Sequence, residues 1–419
     1  RGLHDVSMGW RERQSVGDAE GDSSQARRCR IDARSDSGTL GVKFGIFHEL
    51  ATPRPLTREN EAKVIRNALE QVRVADEVGF DTVWAVEHHF LEGYSHSSAP
   101  EVFLTACAAQ TEKIRIGHGA VVCVREMNHP IRVAERAAML DIISDGRLEF
   151  GTARSSTWTE LGGFEADPDR TKQDWDEYVR AIPGMWTQER FSWAGNCFSM
   201  PERAVLPKPL QQPHPPMWVT VTSTGTELDA ADRGLGCLGV ATASLQAQER
   251  RTKEYHRRIQ LSNPMGHVND KVATLNFMYC HEDLKTAAER GMKFLGQFGL
   301  LNSHLLFTRE AYPTTGYQSL GGISAPGGSK SGGNPGAAYG VPEGVCIGDP
   351  PAIIDAIKRW ESVGVDQVNF LVNACEALPQ DQVLESLRLF AEEVIPAFRK
   401  EEPTEPAGHA AAPSGRSET

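Results

Sequence analysis

A short apolar run that ends in a carboxylate and two imidazoles lies at Asp81-Thr-Val-Trp-Ala-Val-Glu-His-His-Phe90. Its centre, Val83 to Val86, has the length and apolar character of a buried β-strand. The three ionisable groups, Glu87, His88 and His89, fall where that strand stops. Because ligands bind beyond the carboxyl ends of parallel strands in α/β proteins, this stretch predicts a strand with a functional site at its end.

Four β/α repeats surround this stretch. Strands are predicted at 42–47, 83–86, 114–122 and 147–152, with helices between them at 57–79, 101–112 and 130–144. Thr57 is placed to cap the first helix and Gly79 to end it. Strands that alternate with helices in this way predict a parallel α/β fold.

The same alternation continues beyond residue 170. Further strands are predicted at 217–221, 236–241, 272–279 and 365–372. Further helices are predicted at 171–186, 246–260, 283–297, 350–363 and 380–398, and one more is opened by residues 222–226 and runs toward 232. Insertions follow the fourth strand, where a polar loop (153–170) precedes a hairpin (191–198), and separate the seventh strand from the eighth. Eight strands favour a (β/α)8 TIM barrel over an open doubly wound sheet.

The barrel domain is expected to span residues 41–400. Residues 1–40 and 401–419 have no apolar period and are expected to be disordered. Residues 299–344 are rich in glycine and serine, and a stretch of this length predicts either a mobile lid or a disordered insertion.

Composition excludes several functional classes. The net charge is −12 and basic residues do not cluster with aromatic ones, so we expect no nucleic-acid partner. Apolar runs fall short of the roughly 18 residues that a membrane span requires, and the start of the chain lacks the apolar core of a signal peptide. We therefore expect a cytoplasmic protein. The eight cysteines are scattered singly, which favours buried free thiols over disulfides.

The histidine pair is open to three interpretations: general base, metal ligand or structural group. A metal site needs further ligands in a spaced motif. His48 and His118 lie near strand ends but belong to no such motif, so we expect no metal. Because successive residues of an extended strand point to opposite faces, His88 and His89 are predicted to have different roles.

Two further stretches fall at strand ends. Thr222, Ser223 and Thr226 surround a glycine at the start of a predicted helix, a pattern typical either of phosphate binding or of an ordinary N-cap. Arg154 follows the fourth strand and could add a bidentate cation or form a surface ion pair. Gly119-Ala120 ends the third strand with small residues, which would admit a flat ring or simply pack tightly in the barrel.

Four motifs, in this order along the chain, resemble those of the bacterial luciferase-like flavin monooxygenase family. They are Phe80-Asp-Thr-Val-Trp-Ala-Val-Glu-His-His-Phe90, Ile116-Gly-His-Gly-Ala-Val-Val122 followed by His129-Pro130, Asp145-Gly-Arg-Leu-Glu-Phe-Gly151, and Leu206-Pro-Lys-Pro-Leu-Gln-Gln-Pro-His-Pro-Pro216. The resemblance is specific over residues 42 to about 240 and weaker beyond them.

The resemblance implies a TIM barrel that binds reduced FMN (FMNH2) supplied by a separate flavin reductase. In that family O2 adds at flavin C4a, and the resulting (hydro)peroxide oxidises a small organic substrate. A homodimer is also implied. Two alternatives share the fold: an oxidoreductase that depends on the deazaflavin F420, and a non-catalytic flavin-binding relative.

The resemblance also assigns roles to individual residues. His88 corresponds to the catalytic imidazole, with Glu87 beside it as the second catalytic residue. The resemblance implies that Arg154, Thr222, Ser223 and Thr226 bind the FMN phosphate. It implies that Gly119 and Ala120 support the isoalloxazine ring. In the family the two residues at these positions are joined by a non-proline cis peptide bond.

The chain departs from the luciferase α chains at two positions. It has Ala153 where they carry a reactive cysteine, and Thr157 where they carry a tyrosine. Light emission from a long-chain aldehyde is therefore not expected.

Overall fold

A computed structural model describes residues 41–155, 157–222, 225–240, 245–264, 266–307 and 335–399. The predicted N-terminal extension (1–40) and C-terminal tail (401–419) lie outside these residues. None of the helices in the described part of the chain combines the length and apolar character needed to cross a bilayer.

Eight parallel strands close into a barrel. In chain order the strands of the described residues are β1 (Lys43–His48), β2 (Thr82–Ala85), β3 (Arg115–His118), β4 (Val121–Val122), β5 (Leu148–Ala153), β6 (Phe191–Ala194), β7 (Ser199–Arg203), β8 (Met217–Val221), β9 (Gly236–Val240), β10 (Val272–Cys280), β11 (Cys346–Gly348) and β12 (Gln367–Leu371). The barrel runs β1-β2-β3-β5-β8-β9-β10-β12. It closes at β12, where Leu371 lies opposite both Phe47 of β1 and Phe277 of β10. The predicted (β/α)8 TIM barrel is confirmed.

Helices follow the strands and cover the barrel. Those of the described residues are α1 (Arg58–Val78), α2 (Pro100–Ala109), α3 (Pro130–Ile143), α4 (Trp158–Gly163), α5 (Thr171–Thr187), α6 (Thr226–Asp232), α7 (Leu245–Ile259), α8 (Leu284–Phe307), α9 (Pro350–Ser362) and α10 (Gln380–Glu393). The predicted bounds of α1 are confirmed, since the Thr57 side chain accepts a hydrogen bond from the Asn60 N–H and Gly79 adopts a φ of 96°.

The chain after the seventh barrel strand differs from the prediction. Helix α8 extends to Phe307, so residues 299–307 are helical rather than irregular. Leu301, within this extended part, packs against the hydrophobic core, and so does Phe298 just before it. Strand β11, which was not predicted, then pairs with the end of β10. Residues 308–334 lie outside the described residues, so the lid remains a prediction.

Three smaller corrections concern other parts of the chain. The loop predicted at 153–170 contains α4. The third predicted strand is divided into β3 and β4 at Gly119–Ala120. The closing helix, predicted to reach residue 398, ends at Glu393, and a 3-10 helix (Ile395–Phe398) follows. Pro396 accounts for this change, because a proline has no N–H to continue an α-helix.

Large aromatic side chains fill the interior of the barrel. Trp84 of β2 meets Trp218 of β8 edge to face, with 5.6 Å between the ring centroids. Gly117 of β3 lies against the same Trp84, and a Cβ atom at position 117 would fall 2.4 Å from the indole ring. A glycine is therefore required beside this tryptophan by packing rather than by backbone conformation.

We expect Gly117→Ala to destabilise the protein, because the new methyl group overlaps a fully buried ring. Overpacking of a core costs about 1–3 kcal/mol in the free energy of unfolding. Gly296→Ala is the matched control, since a Cβ there meets nothing within 4 Å and the position is helical. It should stabilise the protein by roughly 0.5–1 kcal/mol. Chemical denaturation of both variants measures the difference, and equal stabilities would contradict this description of the core.

Candidate active site

The predicted site residues follow strands whose carboxyl ends share one rim of the barrel. The residues in question, with the strand that each follows, are Glu87 and His88 after β2, Gly119 and Ala120 after β3, Arg154 after β5, and Thr222 after β8. In the barrel β2, β3, β5 and β8 are consecutive neighbours. Neighbouring strands lie about 4.8 Å apart, so the group spans roughly 14 Å along the rim. Ser223 lies outside the described residues.

His88 is held between two carboxyl groups that come from distant parts of the chain. Its Nδ1 atom is 2.9 Å from Oε1 of Glu160, and its Nε2 atom is 3.8 Å from Oε2 of Glu49. Both glutamates are buried, whereas the imidazole retains 17% exposure. The first contact is a hydrogen bond. The second is a charge contact that leaves Nε2 without a hydrogen bond in the described residues.

This surrounding favours the imidazolium form of His88. Burial opposes protonation, but the charge and hydrogen bond of Glu160, with smaller contributions from Glu49 and Glu87, raise the pKa of His88 to about 9. Burial alone would raise the pKa of Glu160, yet the charge of His88 and the hydrogen bonds to this carboxylate lower it. His88 and Glu160 therefore form an ion pair at neutral pH.

Glu160 is positioned by helix α4. The Thr157 side chain caps this helix by accepting a hydrogen bond from the Glu160 N–H, and its hydroxyl donates to Oε2 of Glu160. Ser155 also donates to Oε2, and the His89 N–H donates to Oε1. The sequence predicts a polar loop for this stretch. The sequence Thr157-Trp-Thr-Glu160 fits the capping pattern S/T-x-x-E, and this pattern indicates the start of a helix at this place.

Glu49 was not singled out from the sequence. It follows β1, is 6% exposed, and accepts a hydrogen bond from the Tyr94 hydroxyl at 3.2 Å through Oε1. Burial raises the pKa of Glu49, and the nearby charge of His88 offsets only part of that effect. The Tyr94 ring also packs edge to face against the His88 imidazole. No local pattern around Glu49 or Tyr94 could have indicated these contacts.

Glu87 has a different environment from His88, although the two are adjacent. Its Oε2 atom accepts a hydrogen bond from the Val122 N–H at 2.7 Å, and Oε1 accepts one from the Asn128 side chain at 2.7 Å. Nε2 of His89 is 3.1 Å from the same Oε1. Both oxygens of Glu87 are thus engaged in holding the segment after β3, which favours a positioning role over proton transfer.

The end of β3 has the backbone geometry that the resemblance implies. The peptide bond between Gly119 and Ala120 is cis, and it separates β3 from β4. A Cβ atom on Gly119 would lie 2.9 Å from the ring of Phe47 and 3.2 Å from Cβ of Trp84, so packing requires glycine here. The role of this bond toward a flavin ring remains a prediction.

The residues predicted to bind a phosphate follow two neighbouring strands: Arg154 follows β5, and Thr222 and Thr226 follow β8. Arg154 is half-buried and makes no ion pair with any described residue. Thr226 is the first residue of α6, and Gly225 before it has a φ of 91°. One contact competes with an anion, because the Gly225 N–H donates to Glu227. Arg251 neutralises that carboxylate through two hydrogen bonds, and phosphate binding at this place remains a prediction.

His48 and His118 face away from the rim. The His48 ring packs against Phe103 of α2, and the His118 ring packs against Phe150. Burial lowers the pKa of His48 to about 4, and burial with the charge of Arg136 lowers the pKa of His118 to about 3. Across the described residues, no cluster of three or more His, Cys, Asp or Glu side chains is arranged as metal ligands.

A family model described as luciferase-like monooxygenase matches residues 42–367. The oxygenase component of flavin-dependent trigonelline monooxygenase from Acinetobacter baylyi is 26% identical over 380 residues, which cover 85% of this chain and 96% of that protein. The alkanal monooxygenase alpha chain of Photorhabdus luminescens is 24% identical over 370 residues, which cover 86% of this chain and 98% of that protein.

Solved structures show the same fold. The monooxygenase RslO1 from Streptomyces bottropensis superposes with a TM-score of 0.69 at 25% identity, covering 85% of this chain and 99% of its own. The oxygenating constituent of 3,6-diketocamphane monooxygenase from Pseudomonas putida, in complex with FMN, has a TM-score of 0.65 at 19% identity, covering 85% and 99%. An F420-dependent secondary alcohol dehydrogenase has a TM-score of 0.59 at 18% identity, covering 86% and 100%. At these identities the last two establish the fold alone.

We expect Glu160→Gln to lower the pKa of His88 by roughly one to two units, because the charge that most favours the imidazolium is removed. The folded-state pKa of about 9 lies above the ordinary value of 6.5. His88 therefore stabilises the fold, by on the order of 3 kcal/mol, at pH values below 6.5, and this contribution is lost as the pH rises through 9.

Imidazole NMR shifts across a pH titration of wild type and Glu160→Gln measure the pKa directly. The free energy of unfolding should fall between pH 6.5 and 9 in the wild type and change less over this range in the variant. An unchanged His88 pKa in Glu160→Gln would contradict the ion pair.

Proposed function

This chain belongs to the luciferase-like monooxygenase family, and we propose that it is the oxygenase component of a two-component enzyme. In this proposal a separate flavin reductase supplies reduced FMN, and the chain uses O2 to oxidise a small organic substrate. The name of the relative from Acinetobacter baylyi, an oxygenase component, supports the division into two proteins.

One observation supports the proposal most strongly: an imidazolium stands at the rim of the barrel with one ring nitrogen free. Oε1 of Glu160 accepts the Nδ1–H bond of His88, while Nε2 makes no hydrogen bond within the described residues. Nε2 can therefore donate its proton, or a hydrogen bond, to an oxygen atom that reacts at the rim. Reduced FMN, when bound, supplies the electrons with which O2 is activated.

The other side chains of the site hold and shield the reactants. In this proposal Arg154 would hold the FMN phosphate, and the hydroxyls of Thr222, Ser223 and Thr226 would add further donors. Gly119 and Ala120 would support the flavin ring. Glu87 holds the segment after β3 in place through the Val122 N–H.

Aromatic side chains from three parts of the chain pack near the same rim. Tyr94 packs against Phe298 of α8 at 5.8 Å between centroids, and Phe298 packs against Phe277 of β10 at 5.0 Å. Tyr94 also packs edge to face on His88, whose side chain is 17% exposed. Limited access of water to the imidazole favours an oxygen-activating reaction over loss of the activated oxygen to solvent.

The alternative function is F420-dependent hydride transfer. Its support is a similarity of fold to an F420-dependent dehydrogenase that is 18% identical to this chain. The homodimer implied by the family resemblance also remains a prediction, because each contact described for the site lies within one chain.

We expect the purified chain to bind reduced FMN anaerobically and to consume O2 when air is admitted. Arg154→Ala should weaken the binding of reduced FMN about tenfold or more, because a charge-assisted hydrogen bond contributes roughly 1.5–3 kcal/mol. Arg190→Ala, an exposed arginine of the β6–β7 hairpin, is the control and should bind as the wild type does. Anaerobic titration followed by absorbance measures the affinity. Failure to bind reduced FMN, together with binding of reduced F420, would contradict the proposal.

Substitutions of the two adjacent histidines, His88 and His89, provide a matched pair of variants whose turnover can be compared. His88→Gln should reduce turnover by roughly 10²–10⁴-fold, which is the usual contribution of a general acid or base. His89→Gln should reduce it much less, since His89 bonds to Glu87 and packs edge to face against Phe164. Substrate oxidation coupled to a flavin reductase measures both. Equal losses in the two variants would show that the pair acts as one structural unit.

A further inference from the structure

One carboxyl oxygen of Glu49 has no hydrogen-bond partner in the described part of the chain. Its Oε1 atom accepts the hydrogen bond from Tyr94, but its buried Oε2 atom has no hydrogen-bond partner. That atom faces Nε2 of His88 across 3.8 Å, and Nε2 is the ring atom that has no hydrogen bond. Oε2 of Glu49 and Nε2 of His88, which both have no hydrogen bond within the described residues, therefore face one another.

The charges around this pair do not balance if every acid is ionised. Glu160, Glu87 and Glu49 all face His88, and the first two have hydrogen-bond donors on both oxygens. Glu49 has a single donor, the Tyr94 hydroxyl. An ionised carboxylate with an unsatisfied buried oxygen is unfavourable, and such a group takes up a proton instead. His48, Cys375 and Glu376 line a cavity together with Glu49. His48 is neutral because burial lowers its pKa to about 4.

We propose that Glu49 is a proton-supplying positioning residue: its carboxyl group stores a proton beside His88 and returns one to the imidazole after His88 has donated its own. The inference rests on the proposed function, in which His88 gives a proton to the reacting oxygen. It adds a second titratable group to the site, one that acts through His88 and does not itself contact the substrate.

The proton balance is simple. The proton on Nε2 of His88 leaves to the reacting oxygen, while the proton on Nδ1 stays in its hydrogen bond to Glu160. The proton on Oε2 of Glu49 then binds Nε2, so the imidazolium is restored and Glu49 becomes a carboxylate. No electrons are exchanged. The gap of 3.8 Å has to shorten by about 1 Å to reach hydrogen-bond distance.

A small cavity offers the route by which Glu49 regains its proton. It has a volume of about 30 Å³ and is lined by Glu49 together with His48, Gln71 of α1 and Cys375. A cavity of this size with polar lining can hold one water molecule. In this proposal a water molecule in the cavity, which lies between Glu49 and α1, returns the proton to Glu49.

Infrared difference spectra of the flavin-free protein test the stored proton. The spectrum of the wild type minus that of Glu49→Gln at pH 6 should contain the C=O stretch of a protonated carboxyl group, and this band should disappear as the pH rises. Glu77→Gln, an exposed glutamate of α1, is the control for the substitution itself. Absence of the band at pH 6 would overturn the proposal, because Glu49 would then be a permanently charged partner of His88.

Tyr94→Phe provides an independent variant that keeps the carboxyl group. The Tyr94 hydrogen bond favours the ionised form of Glu49, so its removal should further raise the pKa of Glu49 and keep the band visible to higher pH. A band that disappears at lower pH in Tyr94→Phe would contradict its assignment to Glu49.

Turnover measures whether the stored proton is used. Glu49→Gln should lower turnover on the order of tenfold or more while leaving the affinity for reduced FMN unchanged, and Glu49→Asp should recover part of the loss. Wild-type turnover in Glu49→Gln would overturn the relay. Because the infrared band is recorded without flavin, a chain that shows the band but does not bind reduced FMN contradicts the proposed function and leaves the stored proton established.

Discussion

The closure of the parallel barrel is the constraint on which the rest of the structure depends. β12, near the end of the described chain, is hydrogen-bonded to β1 at its beginning and to β10. Closure leaves the barrel without exposed strand edges, and parallel direction brings the carboxyl ends of all its strands to one rim. Residues far apart in the sequence become neighbours only there. The large interior rings of Trp84 and Trp218 fill the barrel, so chemistry is confined to the rim.

At that rim the imidazole of His88 lies among three carboxyl groups, and the different surroundings of these carboxyl groups separate their roles. Glu160, with donors on both oxygens, is the fixed counter-charge of His88. Glu87 has donors on both oxygens and holds the neighbouring strand. Glu49, whose Oε2 atom has no hydrogen-bond partner among the described residues, is the acid whose pKa burial raises. The number of hydrogen-bond donors that each carboxyl group finds thus decides whether it acts as a charge, an anchor or a proton store.

The rim also has two chemically distinct halves. The half after β2 and β3 carries the imidazole and is bordered by the packed rings of Phe277 and Phe298. The half after β5 and β8 carries the hydroxyl of Thr222 and the cation of Arg154, which makes no ion pair with any described residue. A cofactor with a flat redox-active ring at one end and a phosphate at the other matches this division. The membership of the chain in the luciferase-like family agrees with that match.

Local sequence signals were sufficient for most of the fold. Strand periodicity and caps such as Thr57 and Gly79 act within one turn or one strand, and the elements that they predicted are present. The position of His88 after a strand, and the motifs around it, were equally local. The partners of His88 were not, because Glu49 and Glu160 reach it only when β1, β2 and the segment after β5 are brought to one rim. Sequence patterns therefore identified the imidazole, whereas its charge and its proton supply arise from burial and long-range contacts that exist only in the closed barrel.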